Sequence, residues 1–410
     1  MVVLRSPQKN EHTLFKKIKP GLHLPLTMAT MVLDTDEIAS IAQRVRTAAA
    51  AGTPLRIRGG GSKDFYGESL RGEMLHTSAL AGVVSHEPSE LVVTVGAGTS
   101  LVELEALLAA EGQSLAFEPP HFGLVNGQGV SKATVGGMVA SGLSGPARAS
   151  VGAVRDYMLG VKLINGKGEH LTFGGQVMKN VAGYDVSRLL TGSMGTLGLI
   201  TEVSLKVLPQ APREATLRFE CTQTQALDWL NAWGAQPLPL NASCWVQESG
   251  SAAGAGWLDL RLRGAHAAVE AACRSLGGEI KDPLDAVAFW QACRNQQSRW
   301  FQERRESQDL WRLSVPQTTP PLVLPDSPLI EWHGGQRWVR AEPQQAQQLR
   351  EAVMGAGGNA TLFIAAHARA ALATNRFDTL KAPLDRIHRG LKREFDPAGV
   401  FNPGRLYADW

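Results

Sequence analysis

The chain has 410 residues, which at about 150 residues per unit allows two to three structural units and at least one sizeable core. Hydrophobic residues make up 44% and charged residues 19%, an ordinary globular mix that excludes wholesale disorder and fibrous repeats. A net charge of +3 without a long Lys/Arg block argues against nucleic acid as partner, and no uncharged apolar stretch reaches the roughly 20 residues of a bilayer span.

Residues 1–33 show no sustained periodicity. They read as a disordered extension, or as the product of a start codon placed upstream of Met28 or Met31, and Lys16, Lys17 and Lys19 as solvated tail charges. Pro25 breaks the short apolar stretch that follows and no cleavage pattern comes after it, so it makes a poor signal peptide and a cytoplasmic location is expected. From Asp34 the pattern sharpens. Ile38, Ile41, Ala42 and Val45 share one helical face, Asp34 or Thr35 can cap the start and Gly52 suits the stop. Leu55 and Ile57 alternate with Arg56 and Arg58 as a short strand running into Gly59, Gly60, Gly61 and Ser62. Strands are expected at Gly82–Ser85 and Leu91–Val95, then a helix over Ser100–Glu111 with a capping box of Ser100 and Glu103. Gly166-Lys167-Gly168 reads as a hairpin turn, and a β-branched strand runs through Val203 to Val207.

More than half of the 43 glycines lie between Gly52 and Ser204, whereas all ten tryptophans lie from Trp229 onward. The break, near Pro209 and Pro212, suggests a domain boundary at 209–215. The later unit mixes strands such as Trp257–Leu262 with helices such as Ala265–Leu276 and reads as α+β; Trp300, Trp311, Trp332 and Trp338 suit its core better than a docking surface. Cys221, Cys244, Cys273 and Cys293 form no C-x-x-C, so the chain alone cannot ligate an iron–sulfur cluster, and no metal-binding pattern occurs.

The sequence holds no G-x-G-x-x-G after a strand, no Walker A lysine, no H-E-x-x-H and no G-x-S-x-G, which argues against a nicotinamide Rossmann enzyme, a P-loop NTPase, a zincin and a serine hydrolase. Three glycine segments remain. Arg58 to Ser62 can present successive amides as an anion nest or can be a flexible turn. Ala133 to Gly142 starts a small-residue helix at Gly136 and Gly137, which suits a phosphate or tight packing on a sheet. Gly183 to Thr201 spaces Gly192, Gly195 and Gly198 by three, leaving little side chain between backbone and a dinucleotide.

In this order, and with Asp-Pro-Ala-Gly-Val-Phe-Asn-Pro-Gly-Arg-Leu-Tyr ending at Tyr407, the segments resemble the FAD-binding domain shared by relatives of vanillyl-alcohol oxidase and D-lactate dehydrogenase. Within that superfamily, Glu118-Pro119-Pro120-His121, the run Phe173 to Asp185 and Phe401-Asn402-Pro403-Gly404-Arg405 are similar to the second flavin-type subunits of bacterial glycolate oxidase. The resemblance implies an α+β fold: a two-lobed PCMH-type FAD-binding domain over 34–210, an α+β cap over 211–375, and a C-terminal segment, 376–410, returning to the first domain. It implies that Gly59, Gly60, Gly61, Ser62, Gly136, Gly137, Ser141 and Gly142 hold the FAD diphosphate. Gly192, Ser193, Gly195, Thr196, Gly198 and Ile200 would line adenosine and flavin, with Asp156 and Asn402 near the same groove.

Some relatives attach flavin covalently through a histidine in the first loop; Ser62 stands there, which implies noncovalent FAD. Catalytic relatives also carry an H-x-G-D-G-N-x-H type run near the end of the cap, and this chain has none. The implied function is that of an FAD-binding subunit that oxidises glycolate to glyoxylate together with a GlcD-like catalytic flavin subunit and a GlcF-like iron–sulfur subunit, peripheral at the inner membrane through those partners. No catalytic residue is assigned; His121, His367 and Arg405 are the candidates, each with a structural role as the alternative. A self-sufficient FAD oxidoreductase acting on a 2-hydroxy acid or alcohol, and a non-redox scaffold subunit, remain open.

Overall fold

The computed structural model describes residues 33–122, 131–175, 184–247, 254–366 and 375–410. Helix α1 (Thr35–Ala51) begins where Asp34 Oδ1 accepts from the Asp36 and Glu37 amides at 2.8 and 3.3 Å, and ends where Gly52 takes φ +63°. Its stripe of Ile41, Ala42, Val45 and Ala48 packs on a parallel pair, β1 (Leu55–Arg58) and β2 (Glu73–His76), and on Phe401.

The chain then builds a five-stranded sheet from β3 (Val83–Glu87), β4 (Val92–Gly96), β6 (Met158–Ile164), β7 (His170–Gly174) and β8 (Leu199–Lys206). Its order is β3-β4-β8-β6-β7 and every neighbouring pair is antiparallel. The hairpin expected at Gly166–Gly168 joins β6 to β7, with Asn165 Oδ1 accepting from the Lys167 and Glu169 amides, both at 3.0 Å. Helix α2 (Leu101–Ala110), the short β5 (Gln113–Ser114), α3 (Val135–Ser141) and α4 (Arg148–Val151) lie between β4 and β6, and α5 (Val186–Leu189) precedes β8. Leu101, Leu104 and Leu108 of α2 and Val135, Met138 and Val139 of α3 cover one face of the sheet. The expected capping box of α2 does not form: Ser100 is the N-cap, but its side chain makes no cap hydrogen bond.

From β9 (Leu208–Pro209), paired with β5, the chain passes into a larger antiparallel sheet. It contains β10 (Arg213–Thr222), β11 (Leu240–Gln247), β12 (Ala255–Gly264), β13 (Glu279–Ile280), β14 (Asp309–Ser314), β15 (Leu329–Glu331), β16 (Gln336–Ala341) and β17 (Asn359–Ile364), in the order β13-β10-β12-β11-β15-β16-β14-β17. Helices α6 (Gln223–Gly234) and α7 (His266–Leu276) cover β10 to β12, and α10 (Ala346–Gly355) covers β14, β16 and β17. Helices α8 (Pro283–Arg294) and α9 (Arg299–Gln302) contribute Trp290, Cys293, Trp300 and Phe301 to the core on the other face. Trp300, Trp311, Trp332 and Trp338 are all buried, as expected, and the four cysteines are free thiols.

The two sheets meet through an aromatic core. Phe65, Tyr66 and Phe122 from the first half surround Phe363 of β17 at ring-centroid distances of 5.4, 5.0 and 6.0 Å, with Trp338 of β16 at 5.0 Å behind it. Helix α11 (Leu384–Phe395) returns the chain to the first half, where Phe401 bridges to Leu55 in parallel. Buried Lys392 donates to Thr196 O, Asp396 Oδ2 and Phe401 O at 2.8, 2.6 and 2.9 Å, which satisfies its charge and anchors the segment.

Candidate functional site

Strand β1 ends at Arg58, and the glycines after it let the backbone run against a neighbouring segment at close range. A Cβ on Gly60 would lie 1.5 Å from Lys132 O, and one on Gly59 would lie 2.5 Å from Thr134 Oγ1, so side chains are excluded at both positions. Thr134 in turn caps α3, its Oγ1 accepting from the Gly137 amide at 3.3 Å. The loop and the start of the helix therefore form one wall, and the C-terminal segment closes the other. Asn402 Oδ1 accepts from Ile57 N at 2.8 Å, while its Nδ2 donates to Met194 O at 2.7 Å. One side chain thus ties β1 to the third glycine segment.

Two adjoining cavities of about 100 and 90 Å³ lie along this groove. Gly59, Gly60, Gly61, Ser62, Gly137, Ser141, Asn402 and Arg405 line the first; Gly59, Gly136, Gly137, Gly195, Gly198, Ile200 and Asn402 line the second. The other candidates line neither cavity. Gly142 is the left-handed cap of α3, and a Cβ there would lie 3.1 Å from Gly192. Gly192 donates to Val139 O at 3.0 Å and Met194 to Ala140 O at 2.8 Å, which hold the loop against α3, while Thr196 Oγ1 donates to Ser193 O at 2.7 Å within the loop. Asp156 accepts from the Ala153 amide at 2.8 Å, a local turn cap rather than a groove residue.

His121 is turned away from the groove. Its Nε2 meets Glu105 Oε2 at 3.0 Å and its amide donates to Asn295 Oδ1 at 2.9 Å. Glu105 also pairs with Arg294, whose Nε donates to Pro119 O at 2.8 Å, and Glu118 takes Arg261 through both oxygens at 2.7 Å and Arg263 at 3.2 Å. Burial alone would raise the Glu118 carboxyl, but the two guanidiniums outweigh it and hold the group below the usual range. The Glu-Pro-Pro-His run is thus a latch between the first half and the cap. Arg405 is likewise engaged: it donates to Glu68 O, Lys63 O and Asp64 O at 2.6, 3.2 and 3.4 Å. Burial pulls its guanidinium down to about 10, and its contacts tie the 63–68 loop to the C-terminal segment. His367 lies outside the described residues, as do residues 176–183.

Sequence reasoning missed two parts of the groove. Lys63, directly after the quoted glycine loop, lines the first cavity, and Thr134 sets the start of α3. Lys63 was legible as a residue type, but that no carboxylate among the described residues pairs with it was not. A larger cavity of about 670 Å³ is enclosed by cap residues, among them Cys244, Trp257, Phe289, Trp300 and Arg340, and shares no residue with the groove.

The FAD binding domain family, FAD_binding_4, matches residues 29–174, which contain β1, the first glycine loop and α3. Among solved structures, alkyldihydroxyacetonephosphate synthase superposes with a TM-score of 0.60 at 16% identity, covering 88% of this chain and 75% of that one, a likeness of fold. The class follows: a flavoprotein oxidoreductase whose cofactor is FAD. The chain is 42% identical over 92% of its length to the glycolate oxidase subunit GlcE of Escherichia coli, covering 100% of that protein. It belongs to the family of GlcE glycolate oxidase subunits. The glycolate oxidase subunit GlcD of Bacillus subtilis is 30% identical over 45% of this chain and 37% of its own length, and the D-lactate dehydrogenase of Archaeoglobus fulgidus is 31% identical over 43% and 38%. No helix among the described residues is long and apolar enough to cross a membrane.

Proposed function

We propose that this chain is the second flavin subunit of a heteromeric glycolate-oxidising complex and that the groove between β1, α3 and Asn402 holds its FAD noncovalently. The complex would convert glycolate to glyoxylate with a GlcD-like catalytic flavin subunit and a GlcF-like iron–sulfur subunit, and would meet the membrane through partners. The observation that carries the cofactor assignment is the groove's chemistry. Glycine backbone from Gly59 to Gly61 and the start of α3 line it, and among the described residues the buried Nε atoms of Arg56 and Arg58 have no acceptor, their terminal nitrogens facing Asp64. Such a surface fits a diphosphate, whose charge side-chain cations and the amides of the Gly59–Gly61 loop would meet, the first amides of α3 being taken within the chain. When bound, FAD supplies an acceptor for electrons that can be passed onward.

What the chain's own residues do is hold and orient. Asn402 fixes the spacing of β1 and the 192–198 loop, Thr134 orients the α3 amides, and the latch of Glu118 and Glu105 sets the 118–121 loop. Two of the three catalytic candidates are occupied: His121 by Glu105 and Arg405 by three carbonyls. That favours oxidation of glycolate by a partner over self-sufficient oxidation. The test is the anaerobic visible spectrum of the isolated, FAD-reconstituted chain before and after glycolate. A flavin band that persists is the expected result. Bleaching by glycolate would assign the oxidation to this chain itself, and failure to take up FAD would refute the cofactor assignment.

A further inference from the structure

Half-buried Lys63 differs from the buried cations among the described residues. Lys392 has two carbonyls and Asp396, Arg261 has Glu118 and Asn241, and Arg337 has three carbonyls. Lys63 lies in the wall of the groove next to the glycine loop, and its nearest polar neighbour is the Oγ of adjacent Ser62 at 3.4 Å. Its ammonium stands 5.8 Å from the centroid of the Phe122 ring. Among the described residues no carboxylate lies within ion-pair distance of it. The one acid of the loop, Asp64, is committed to Arg58 at 2.7 Å and faces Arg56 at 3.6 Å.

From this geometry we propose that Lys63 Nζ is the side-chain cation that neutralises the phosphate charge of the dinucleotide in the groove, so that binding depends on a protonated lysine as well as on backbone amides. The proposal rests on the reading that the groove takes FAD. A charge withdrawn from water without a counterion is costly, and an incoming phosphate removes that cost, whereas a neutral ring system would not. The same desolvation lowers the Lys63 ammonium to about 8 in the ligand-free chain. A phosphate beside it would raise that value again. Affinity would therefore be full below pH about 8 and decline as the pH rises above it. The charged groups around it are Arg56, Arg58 and Asp64 on its own strand and loop, Lys132 on the segment behind Gly60, and Arg405 on the C-terminal segment. His121, beside Phe122, is turned to Glu105.

The experiment uses the full chain freed of flavin and titrated with FAD, ADP and riboflavin at pH 7 and pH 9.5, as wild type, Lys63→Met and Lys63→Arg. At pH 7, Lys63→Met should weaken FAD and ADP about tenfold or more and leave riboflavin unchanged. Wild-type affinity for FAD and ADP should fall at the higher pH; Lys63→Met should show no such fall, and Lys63→Arg should restore affinity with a flat profile. The ligand-free Lys63→Met chain should melt no lower than wild type, because it loses an uncompensated charge. Unchanged FAD and ADP affinity in Lys63→Met, or an equal loss for riboflavin, would overturn the proposal. A wild-type chain that takes neither FAD nor ADP overturns the cofactor reading itself and this proposal with it.

Discussion

Arg337 and Lys63 are both cations drawn out of solvent, one in the cap sheet and one beside the glycine loop. Arg337 is fully buried on β16 and donates to the carbonyls of Gly334, Thr319 and Pro320. In the same sheet, buried Asp259 receives Arg218 and Lys281, and Glu331 accepts from Gln336 and Trp338. In the groove, among the described residues, Lys63 has a neighbouring hydroxyl and the Phe122 ring, and the Nε atoms of Arg56 and Arg58 have no acceptor. The cap's buried charges complete its structure. In the groove Arg58 pairs with Asp64 and Arg405 with three carbonyls, so the contrast with the cap rests on Lys63, which among the described residues has no carboxylate partner.

The strongest way to break this contrast is at the latch, where cap and first half share charges. Arg261→Ala leaves Glu118 with Arg263 and the Ala147 amide and removes the guanidinium from the Trp290 ring 4.9 Å away. It should cost about 4 kcal/mol, read by urea unfolding, because a buried carboxylate loses its principal partner. Next comes Gly60→Ala, whose methyl would overlap Lys132 O; it should cost about 3 kcal/mol and lower the flavin content of the purified chain. Gly192→Ala is its control: the space around that Cβ is open, so only φ +84° opposes it, at about 1 kcal/mol.

The sharpest test of the cap side is Glu331→Gln. Burial, opposed by hydrogen bonds from Trp338 and Gln336, pushes this carboxyl up to about 7. The folded chain then keeps the proton at pH values where the unfolded chain has lost it. Stability from the neutral form is full below the ordinary carboxyl range and is lost as the pH rises through about 7. The amide should match wild type near pH 4.5 and exceed it by about 3 kcal/mol at pH 8, in melting curves taken across that range.

Local chemistry made much of the first half legible. The α1 stripe with Asp34 and Gly52, the Leu55–Ile57 alternation and the Gly166–Gly168 turn depend on neighbours within a few residues, and each forms. The predicted tryptophan core of the cap also forms. Pairings across the chain were not legible. Whether His121 faces the groove is decided by Glu105, on a helix that precedes it, and by Asn295 on the cap side. Arg405 reads as a free fork in the sequence, yet three carbonyls of the 63–68 loop take its donors. Lys63 reads as one more surface lysine, because nothing local shows that acidic partners are missing.

Asn402 joins Ile57 to Met194, and Lys392 joins Thr196 to Phe401, so the groove is fastened by residues far along the chain from the glycine loop that forms its wall. During synthesis, residues near the amino end leave the ribosome long before these fasteners exist. The glycine loop and α3 can form early, but the groove reaches its final shape only after α11 and Phe401 have emerged and docked. With the groove as the proposed cofactor site, a nascent chain stalled before residue 392 would present the glycine loop without the fasteners that close it.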